Sequence, residues 1–301
     1  MSIRASLINF MLKRTIKNQF ASLDSDVSAF REQMAASNQF APKIPEDVVT
    51  DNIDANGVAC EWVSMGDVIG NKVLMYFHGG GYVLGGPDSH RDLCWRLSEI
   101  SGVRVLVVDY RLAPEHPFPA AVDDATSAYR WLLDEGYSAS DIVIGGDSAG
   151  GGLAVAMMIN LKNLGVKLPH GAILLSPWVD LSCSGDSIAA HASVDPMLSP
   201  VALEKFAAMY IGDLDRKAPL ASPFFADLSG LPPMLIHVGS TEVLLSDAER
   251  LVSKLNEAGC EVVLEVWPKM AHVFQLFAGR VPEAREAVDK LGAFVKQRLG
   301  G

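Results

Sequence analysis

A serine between glycines follows a short apolar run near the middle of this chain of 301 residues. The run Ile142–Gly145 reads as a strand, and Gly146-Asp147-Ser148-Ala149-Gly150 reads as the turn into a helix. Such a strand-to-helix turn strains the backbone and projects the serine oxygen into a cleft, which favours small neighbours. Glycine-rich turns also bind phosphate or serve structure alone, but no Gly-Lys-Ser/Thr follows here. The pattern therefore predicts Ser148 as a nucleophile.

A serine hydroxyl is a weak nucleophile at neutral pH, so it needs a base, and the base needs an orienting carboxylate. In a strand–helix repeat the expected chain order is serine, acid, histidine, each after the end of a strand. His272 follows the predicted strand Val262–Trp267 by a short loop, and we predict that it is the base. The other histidines after Ser148 lie before a strand, in a segment without strands, and inside a strand: His170, His191 and His237.

The acid is expected after the preceding strand, which we place at Met234–Val238. Glu242 lies a few residues beyond it, and this spacing favours Glu242 as the acid. Asp247 opens the next helix, where an acidic residue is also favoured by the helix dipole. Asp180 follows an earlier strand. Asp247 and Asp180 therefore remain alternatives.

Glycines also follow the predicted strand Lys72–Phe77, directly after His78. Glycine lets the backbone approach a substrate carbonyl closely, and backbone N–H groups there can stabilise an oxyanion. The expected donors are the amides of Gly79, Gly80 and Ala149, with His78 as a support of the loop. Two independent motifs at two strand ends favour a catalytic site over a plain glycine turn.

From about residue 58 onward, apolar runs alternate with helical patterns. Such alternation predicts an α/β fold with a mainly parallel sheet, helices on both faces and ligands at the carboxyl ends of the strands. The predicted strands are 58–63, 72–77, 103–108, 142–145, 172–175, 234–238 and 262–266, and the predicted helices include 121–133 and 149–164.

The alternation stops between residues 181 and 220, where only 200–210 has a helical pattern. A connection of this length is too long for an ordinary loop. We expect residues 181–220 to form a cap insertion, together with N-terminal cap helices in residues 1–45. The catalytic core is then 46–180 and 221–301.

Residues 1–20 carry four basic side chains and no acidic one. Their apolar residues lie near helical spacing, so we expect an amphipathic helix packed on the body of the protein. A mobile lid or a lipid-contacting surface is the alternative. The apolar residues are Ile3, Leu7, Phe10, Met11 and Ile16.

Composition indicates one well-packed domain, with 49% hydrophobic and 20% charged residues. A net charge of −11 argues against nucleic-acid binding. The four cysteines lack metal-ligand spacing, so we expect reduced thiols and no metal. No apolar run is long enough to span a membrane, and the short apolar stretch 7–12 ends at Lys13-Arg14, unlike a signal peptide. A cytoplasmic location is expected.

The motifs together resemble the hormone-sensitive-lipase family of esterases, within the α/β-hydrolase fold. The resemblance covers residues 70 to 275 and implies Ser148 as nucleophile and His272 as base. It implies that Asp147 stabilises the loop, and that Asp109, Arg111 and Glu115 form a buried polar scaffold beneath the site. Where the family often has Asp-Pro-Leu, this chain has Glu242-Val243-Leu244, as in a subgroup that uses glutamate. The matching segments are His78–Gly81, Asp109–Glu115, Gly146–Gly150 and Ser176–Trp178.

The resemblance implies a serine carboxylesterase without a cofactor, acting on small ester substrates through an acyl-enzyme. A cap of this size suggests a limited pocket and acyl chains of about two to eight carbons. Hydrolysis of a lactone, such as a terpene-derived one, is the alternative on the same triad; a non-catalytic binding protein is disfavoured because the serine, acid and histidine are all present. Family members often pair through the last strand, so a homodimer through 262–267 is also implied. Tyr82, Met197, Phe206 and Tyr210 are candidates for the pocket wall, or for ordinary core.

Overall fold

In this computed structural model, which describes residues 1–23, 26–37 and 43–300, eight strands form one sheet. The second strand pairs antiparallel with both of its neighbours, the first and the fourth strands. All other neighbouring strands pair in parallel. The predicted α/β fold with a mainly parallel sheet is confirmed. The strands are β1 Val48–Asp54, β2 Ala59–Met65, β3 Val73–Phe77, β4 Arg104–Val108, β5 Ile142–Asp147, β6 Gly171–Leu175, β7 Met234–Gly239 and β8 Val262–Trp267, in the spatial order β1-β2-β4-β3-β5-β6-β7-β8.

Helices cover both faces of this sheet and give the protein two apolar cores. One core lies beneath the helices that follow β3 and close the chain, and the other lies beneath those that flank β5. The central strands β3 and β5 are buried along their whole length, which is why they read as continuous apolar runs. The helices are α1 Ile3–Arg14, α2 Ile16–Ala21, α3 Val27–Ser37, α4 Pro87–Ser101, α5 Ala120–Asp134, α6 Ala149–Asn163, α7 Asp186–Ala190, α8 Pro200–Ile211, α9 Leu245–Glu257 and α10 Pro282–Arg298.

The sequence patterns did not predict two elements, strand β1 and helix α4, and each omission has a physical reason. Strand β1 is polar and largely exposed at the edge of the sheet, so it carries no apolar alternation. Helix α4 buries polar side chains such as His90 and Arg96 beside its apolar ones, which obscures its apolar stripe. Both lie on the amino-terminal side of the predicted nucleophile.

The N-terminal helices and the segment 181–220 meet above the carboxyl ends of the strands. Phe20 of α2 packs edge-on against Phe206 of α8, with ring centroids 5.7 Å apart. Lys205 of α8 also donates to the carbonyl oxygen of Ala21 at 2.9 Å. These contacts join the two segments into one roof over the strand ends.

The expectation that the N-terminal apolar stripe packs on the body is wrong for four of its five residues, and only Ile16, in α2, is half-buried against the core. In α1, Ala5 and Leu12 face the protein, whereas the predicted residues point outward. The apolar spacing identified a helix face, but a sequence with apolar residues on both sides does not say which face is covered. The outward-facing side chains are Ile3, Leu7, Phe10 and Met11.

Candidate active site

Ser148 occupies the turn between β5 and α6 in a strained conformation. Its φ of 52° and ψ of −121° are rarely adopted by a residue with a side chain. A Cβ atom on Gly146 would collide with the carbonyl of Gly150, and one on Gly150 would collide with the carbonyls of Phe77 and His78. Glycines are therefore required here, because the turn packs directly against the loop that follows β3.

Three of the residues predicted from the sequence form one hydrogen-bonded chain. The Nε2 atom of His272 lies 2.9 Å from the Oγ of Ser148, and its Nδ1 lies 2.7 Å from the Oε2 of Glu242. All three side chains are buried. The fold brings them together because each follows the carboxyl end of a parallel strand, namely β5, β7 and β8.

The second oxygen of the Glu242 carboxylate is also held. Ser176, at the end of β6, donates its hydroxyl to Oε1 at 2.7 Å, and the backbone N–H of Gly239 donates to the same atom. The Oγ of Ser176 in turn accepts the N–H of Val273 at 3.2 Å. Ser176 thus fixes both the acid and the loop that carries His272. Sequence reasoning gave it no role, although its position at a strand end was a usable signal.

The two alternative acids serve other groups. Asp247 accepts the backbone N–H groups of Val179 and Asp180 at 3.0 and 3.1 Å, and burial raises its pKa to about 7. Asp180 accepts from nearby serines and pairs with Arg250 at 3.2 Å. Both carboxylates accept hydrogen bonds from the segment that follows β6, whereas Glu242 contacts His272 directly.

The imidazole of His272 is tuned by this environment. Burial alone lowers its pKa, but the carboxylate of Glu242 outweighs burial, so the pKa is raised above its ordinary 6.5. The bond from Nδ1 to the carboxylate leaves Nε2 facing Ser148, ready to accept a proton when the ring is neutral. The arrangement supplies a general base oriented by an acid.

The prediction that Gly79 donates to the oxyanion is wrong. Its N–H is directed to the Oδ1 of Asp147 at 3.1 Å. The amides of Gly80, Gly81 and Ala149 have no acceptor among the residues that the structure describes. Ala149 is the first residue of α6, where N–H groups lack a partner within the helix. Gly80 and Gly81 line the cleft beside Ser148.

Asp147 and His78 hold the glycine loop in place. Besides Gly79, the Oδ1 of Asp147 accepts the hydroxyl of Tyr76 at 3.0 Å and lies 3.1 Å from the Nε2 of His90. The Nδ1 of His78 lies 2.8 Å from the carbonyl oxygen of Gly79. Burial lowers the pKa of His78 to about 4, so its ring is neutral at neutral pH.

The partner of Asp147 on α4, His90, was not predicted. Burial lowers the pKa of the His90 imidazole, but the neighbouring Asp147 carboxylate outweighs burial and raises it overall. The pKa of Asp147 is lowered because the interaction with His90 outweighs its own burial. The two groups are thus in direct contact beside the glycine loop, and each favours the charged form of the other. The sequence offers only one indication of this role, namely that His90 is a polar residue among the apolar positions of a helix.

The expectation of a buried scaffold formed by Asp109, Arg111 and Glu115 is wrong. Asp109 is exposed, and the side chains of Arg111 and Glu115 are 48% and 50% exposed. Their loop follows β4 at the surface, where charges need not lose their water. Glu115 forms a two-pronged ion pair with Arg31 of α3, at 2.8 and 2.9 Å. Glu115 therefore anchors the N-terminal roof, whereas the buried Tyr110 of the same loop donates its hydroxyl to the carbonyl oxygen of His78 at 2.7 Å.

An apolar cleft with a cavity volume of about 150 Å³ opens in front of Ser148. Met197 and Phe206 line it, as predicted. Tyr82 and Tyr210 do not, and that prediction is wrong: their rings stack on each other at 3.7 Å, buried behind the wall. The remaining wall combines the roof with the catalytic loops: Phe20, Met34, Leu84, Trp178, Leu198, Leu203, Val273 and Leu276.

Neither a metal-binding cluster nor a transmembrane helix occurs in the described residues. No cluster of three or more histidine, cysteine, aspartate or glutamate side chains in these ranges could hold a metal ion. Among the helices described, none is both long and apolar enough to cross a membrane.

Comparison with known proteins gives the same picture at the level of the whole chain. A family model for the alpha/beta hydrolase fold matches residues 74–276. An acetyl-hydrolase of Streptomyces hygroscopicus is 43% identical over 270 residues, covering 90% of this chain and 88% of that protein. The structure of an esterase from the bacterial hormone-sensitive lipase family superposes with a TM-score of 0.94 at 39% identity, over 99% of each chain. The esterase EstE5, soaked with p-nitrophenyl butyrate, superposes with a TM-score of 0.93 at 38% identity over the whole of both chains.

Proposed function

The chain belongs to the hormone-sensitive-lipase family of the α/β-hydrolase fold and is a carboxylic ester hydrolase, and we propose that it cleaves short- to medium-chain acyl esters by way of an acyl-enzyme. The observation that carries this proposal is the chain of hydrogen bonds from Ser148 through His272 to Glu242, with bond lengths of 2.9 and 2.7 Å. Ser148, at one end of this chain of hydrogen bonds, faces an apolar cleft. Beside it lie backbone N–H groups that lack an acceptor among the described residues.

In the first half-reaction, His272 Nε2 takes the proton of the Ser148 hydroxyl as Oγ attacks the ester carbonyl carbon. The carbonyl oxygen becomes an oxyanion that accepts hydrogen bonds from the amides of Gly80, Gly81 and Ala149. Collapse of this intermediate breaks the bond to the alkoxy oxygen, and His272 returns the proton to the leaving alcohol. The acyl group now forms an ester with Ser148.

In the second half-reaction, water replaces the alcohol. His272 removes a proton from water, the resulting hydroxide attacks the acyl carbon, and the same amides hold the second oxyanion. The bond to Oγ breaks, Ser148 regains its proton and the carboxylic acid leaves. Glu242 holds the Nδ1–H tautomer throughout and stabilises the transient imidazolium.

The walls of the cleft support small acyl groups. Phe206 lies against the glycine loop so closely that a Cβ atom on Gly81 would collide with its ring, and Phe20 and Met34 close the cleft from the N-terminal side. The similar proteins include one named an acetyl-hydrolase and one soaked with a butyrate ester. We therefore propose acyl chains of about two to eight carbons, as suits a short apolar pocket.

A cyclic ester is the second candidate substrate, on the same residues. The cleft is apolar and partly enclosed, so its walls suit a small ring as well as a short chain. The chemistry differs only in that the leaving alcohol stays tethered to the acyl group. A panel of p-nitrophenyl esters of increasing length and of lactones separates the two. We expect the highest kcat/KM with acetate to octanoate esters; a preference for lactones would replace the proposal.

The roof and the sheet edge carry two subsidiary proposals. We propose that residues 1–45 and 181–220 act as the cap of a core formed by 46–180 and 221–301. We also propose a homodimer through β8, because this edge strand exposes Val263 by 50% and Val266 by 41%. Sedimentation velocity tests the dimer: wild-type protein should sediment as a dimer, and Val263→Lys should yield monomers.

A further inference from the structure

Helix α1 presents an apolar face to solvent. Ile3 is 88% exposed, Leu7 58%, and Phe10 and Met11 each 55%. These residues recur at the spacing of one helix face, opposite the buried Ala5 and Leu12. Single exposed apolar residues are ordinary, but four large ones on one face of one helix indicate a surface that contacts something apolar.

The charges that α1 itself carries are basic, although Glu283 of α10 accepts the Ser2 hydroxyl at the start of α1. Four of the 25 basic residues of the chain, and none of its 36 acidic ones, lie in residues 1–23. Arg14 continues the apolar stripe at the end of α1, with its guanidinium 4.5 Å from the centre of the Phe10 ring, and Arg4 lies beside the stripe, also exposed. A strongly acidic protein, with a net charge of −11, thus carries a local basic surface.

Helix α1 and the helix that follows it contact the elements around the cleft. The side chain of Asn9 donates to the carbonyl oxygen of Lys269, in the loop that leads to His272. Lys17 donates to the carbonyl oxygens of Ala192 and Asp195 in the cap, at 2.7 and 2.6 Å. The next helix, α2, supplies Phe20 to the cleft wall. Whatever α1 contacts is therefore held close to the entrance for substrate.

We propose that α1 is an interfacial helix that docks this protein on an anionic lipid surface, with Ile3, Leu7, Phe10 and Met11 inserted among the acyl chains. Apolar side chains at the centre and arginines at the margin match the apolar interior and the negative headgroups of such a surface. Apolar esters concentrate in lipid, so docking beside the cleft delivers them to it. The binding stands independently of the proposed catalytic residues.

Co-sedimentation of the full chain with vesicles tests the proposal. Wild-type protein should sediment with phosphatidylcholine–phosphatidylglycerol vesicles and less with phosphatidylcholine alone. The double variant Leu7→Ser/Phe10→Ser should bind at least tenfold more weakly, because two inserted side chains are lost. Arg4→Gln/Arg14→Gln should lose about fivefold per charge on the anionic vesicles alone.

A matched control variant distinguishes binding through α1 from non-specific binding through other exposed apolar residues. Leu164 and Val49 are 56% and 64% exposed and lie outside α1. Leu164→Ser/Val49→Ser should bind vesicles like the wild type. All variants should keep the wild-type circular dichroism spectrum and the wild-type hydrolysis of soluble p-nitrophenyl acetate.

Two outcomes would overturn the proposal. One is wild-type protein that stays in the supernatant with anionic vesicles, or a Leu7→Ser/Phe10→Ser variant that sediments as the wild type does. The other is a self-association that the Leu7→Ser/Phe10→Ser variant abolishes without any change in vesicle binding, which would make a second copy of the chain the partner of this face.

Discussion

The Oε2 atom of Glu242 lies 2.7 Å from the Nδ1 of His272, and both side chains are buried. A carboxylate at this distance favours the protonated imidazole and raises its pKa, against the opposite effect of burial. It also fixes the tautomer in which Nε2 faces Ser148. The pH dependence and the identity of the acid both depend on this one contact.

Hydrolysis should fail on the acid side. His272 accepts a proton only as the neutral ring, and its pKa is raised above 6.5, so kcat/KM should fall as the pH decreases through a midpoint above that value. Measuring kcat/KM for p-nitrophenyl acetate across pH, with the protein shown to stay folded by circular dichroism, checks this. A rate that is flat from about pH 5 to about pH 9 would contradict the role of His272.

Glu242→Gln should lower kcat/KM at least about a hundredfold, because the neutral amide neither stabilises the imidazolium nor secures the tautomer. Its acidic limb should also move to lower pH, since the charge that raises the His272 pKa is gone. Asp247→Asn is the matched control, because Asp247 is equally buried but serves backbone amides of Val179 and Asp180. If Asp247→Asn is crippled and Glu242→Gln is not, the acid is misassigned.

The glycine loop should depend on Asp147. Asp147→Asn removes the charge that pairs with His90 and weakens the hold on the Gly79 amide. We expect kcat to fall about tenfold or more with little change in KM, since a displaced loop loses oxyanion stabilisation. Tyr76→Phe removes only one hydrogen bond to the same oxygen and should cost far less. Equal kinetics of Asp147→Asn and wild type would show that the loop stands without this carboxylate.

Much of this site could be predicted because strand ends are readable. Ser148, Glu242 and His272 each follow an apolar run, and the carboxyl ends of parallel strands lie at one edge of the sheet. The direction of side chains in loops could not be read in this way. Gly79 turns its amide to Asp147, which no spacing in the sequence reveals.

Contacts between segments that are distant in the chain also could not be predicted from the sequence. Tyr82 and Tyr210 stack on each other because loop and helix α8 meet in space, although 128 positions separate them in the chain. Glu115 was expected beneath the site and instead pairs with Arg31 of α3 at the surface. In both cases a distant segment decides the role of the residue. Helix α1 is a third case. It has apolar residues on both faces, and only the packing of the rest of the protein decides which face is buried.

Phe206 should limit the length of the acyl chain. Its ring lies against the glycine loop and forms part of the cleft wall, so Phe206→Ala should open space along α8. We expect the preferred p-nitrophenyl ester to lengthen, with the ratio of octanoate to acetate kcat/KM rising about tenfold, as the apolar contact of added methylenes suggests. Met209→Ala, on the same helix but outside the cleft wall, should leave the ratio unchanged. An unaltered ratio in Phe206→Ala would place the limit elsewhere.

Intact-protein mass spectrometry after treatment with a fluorophosphonate tests whether Ser148 is the covalent nucleophile. Wild-type protein should gain one adduct, mapped by peptide analysis to Ser148, and lose ester hydrolysis in proportion. Ser148→Ala should remain unlabelled and inactive towards p-nitrophenyl acetate while keeping its fold. Labelling at another residue, or substantial turnover by Ser148→Ala, would contradict the account.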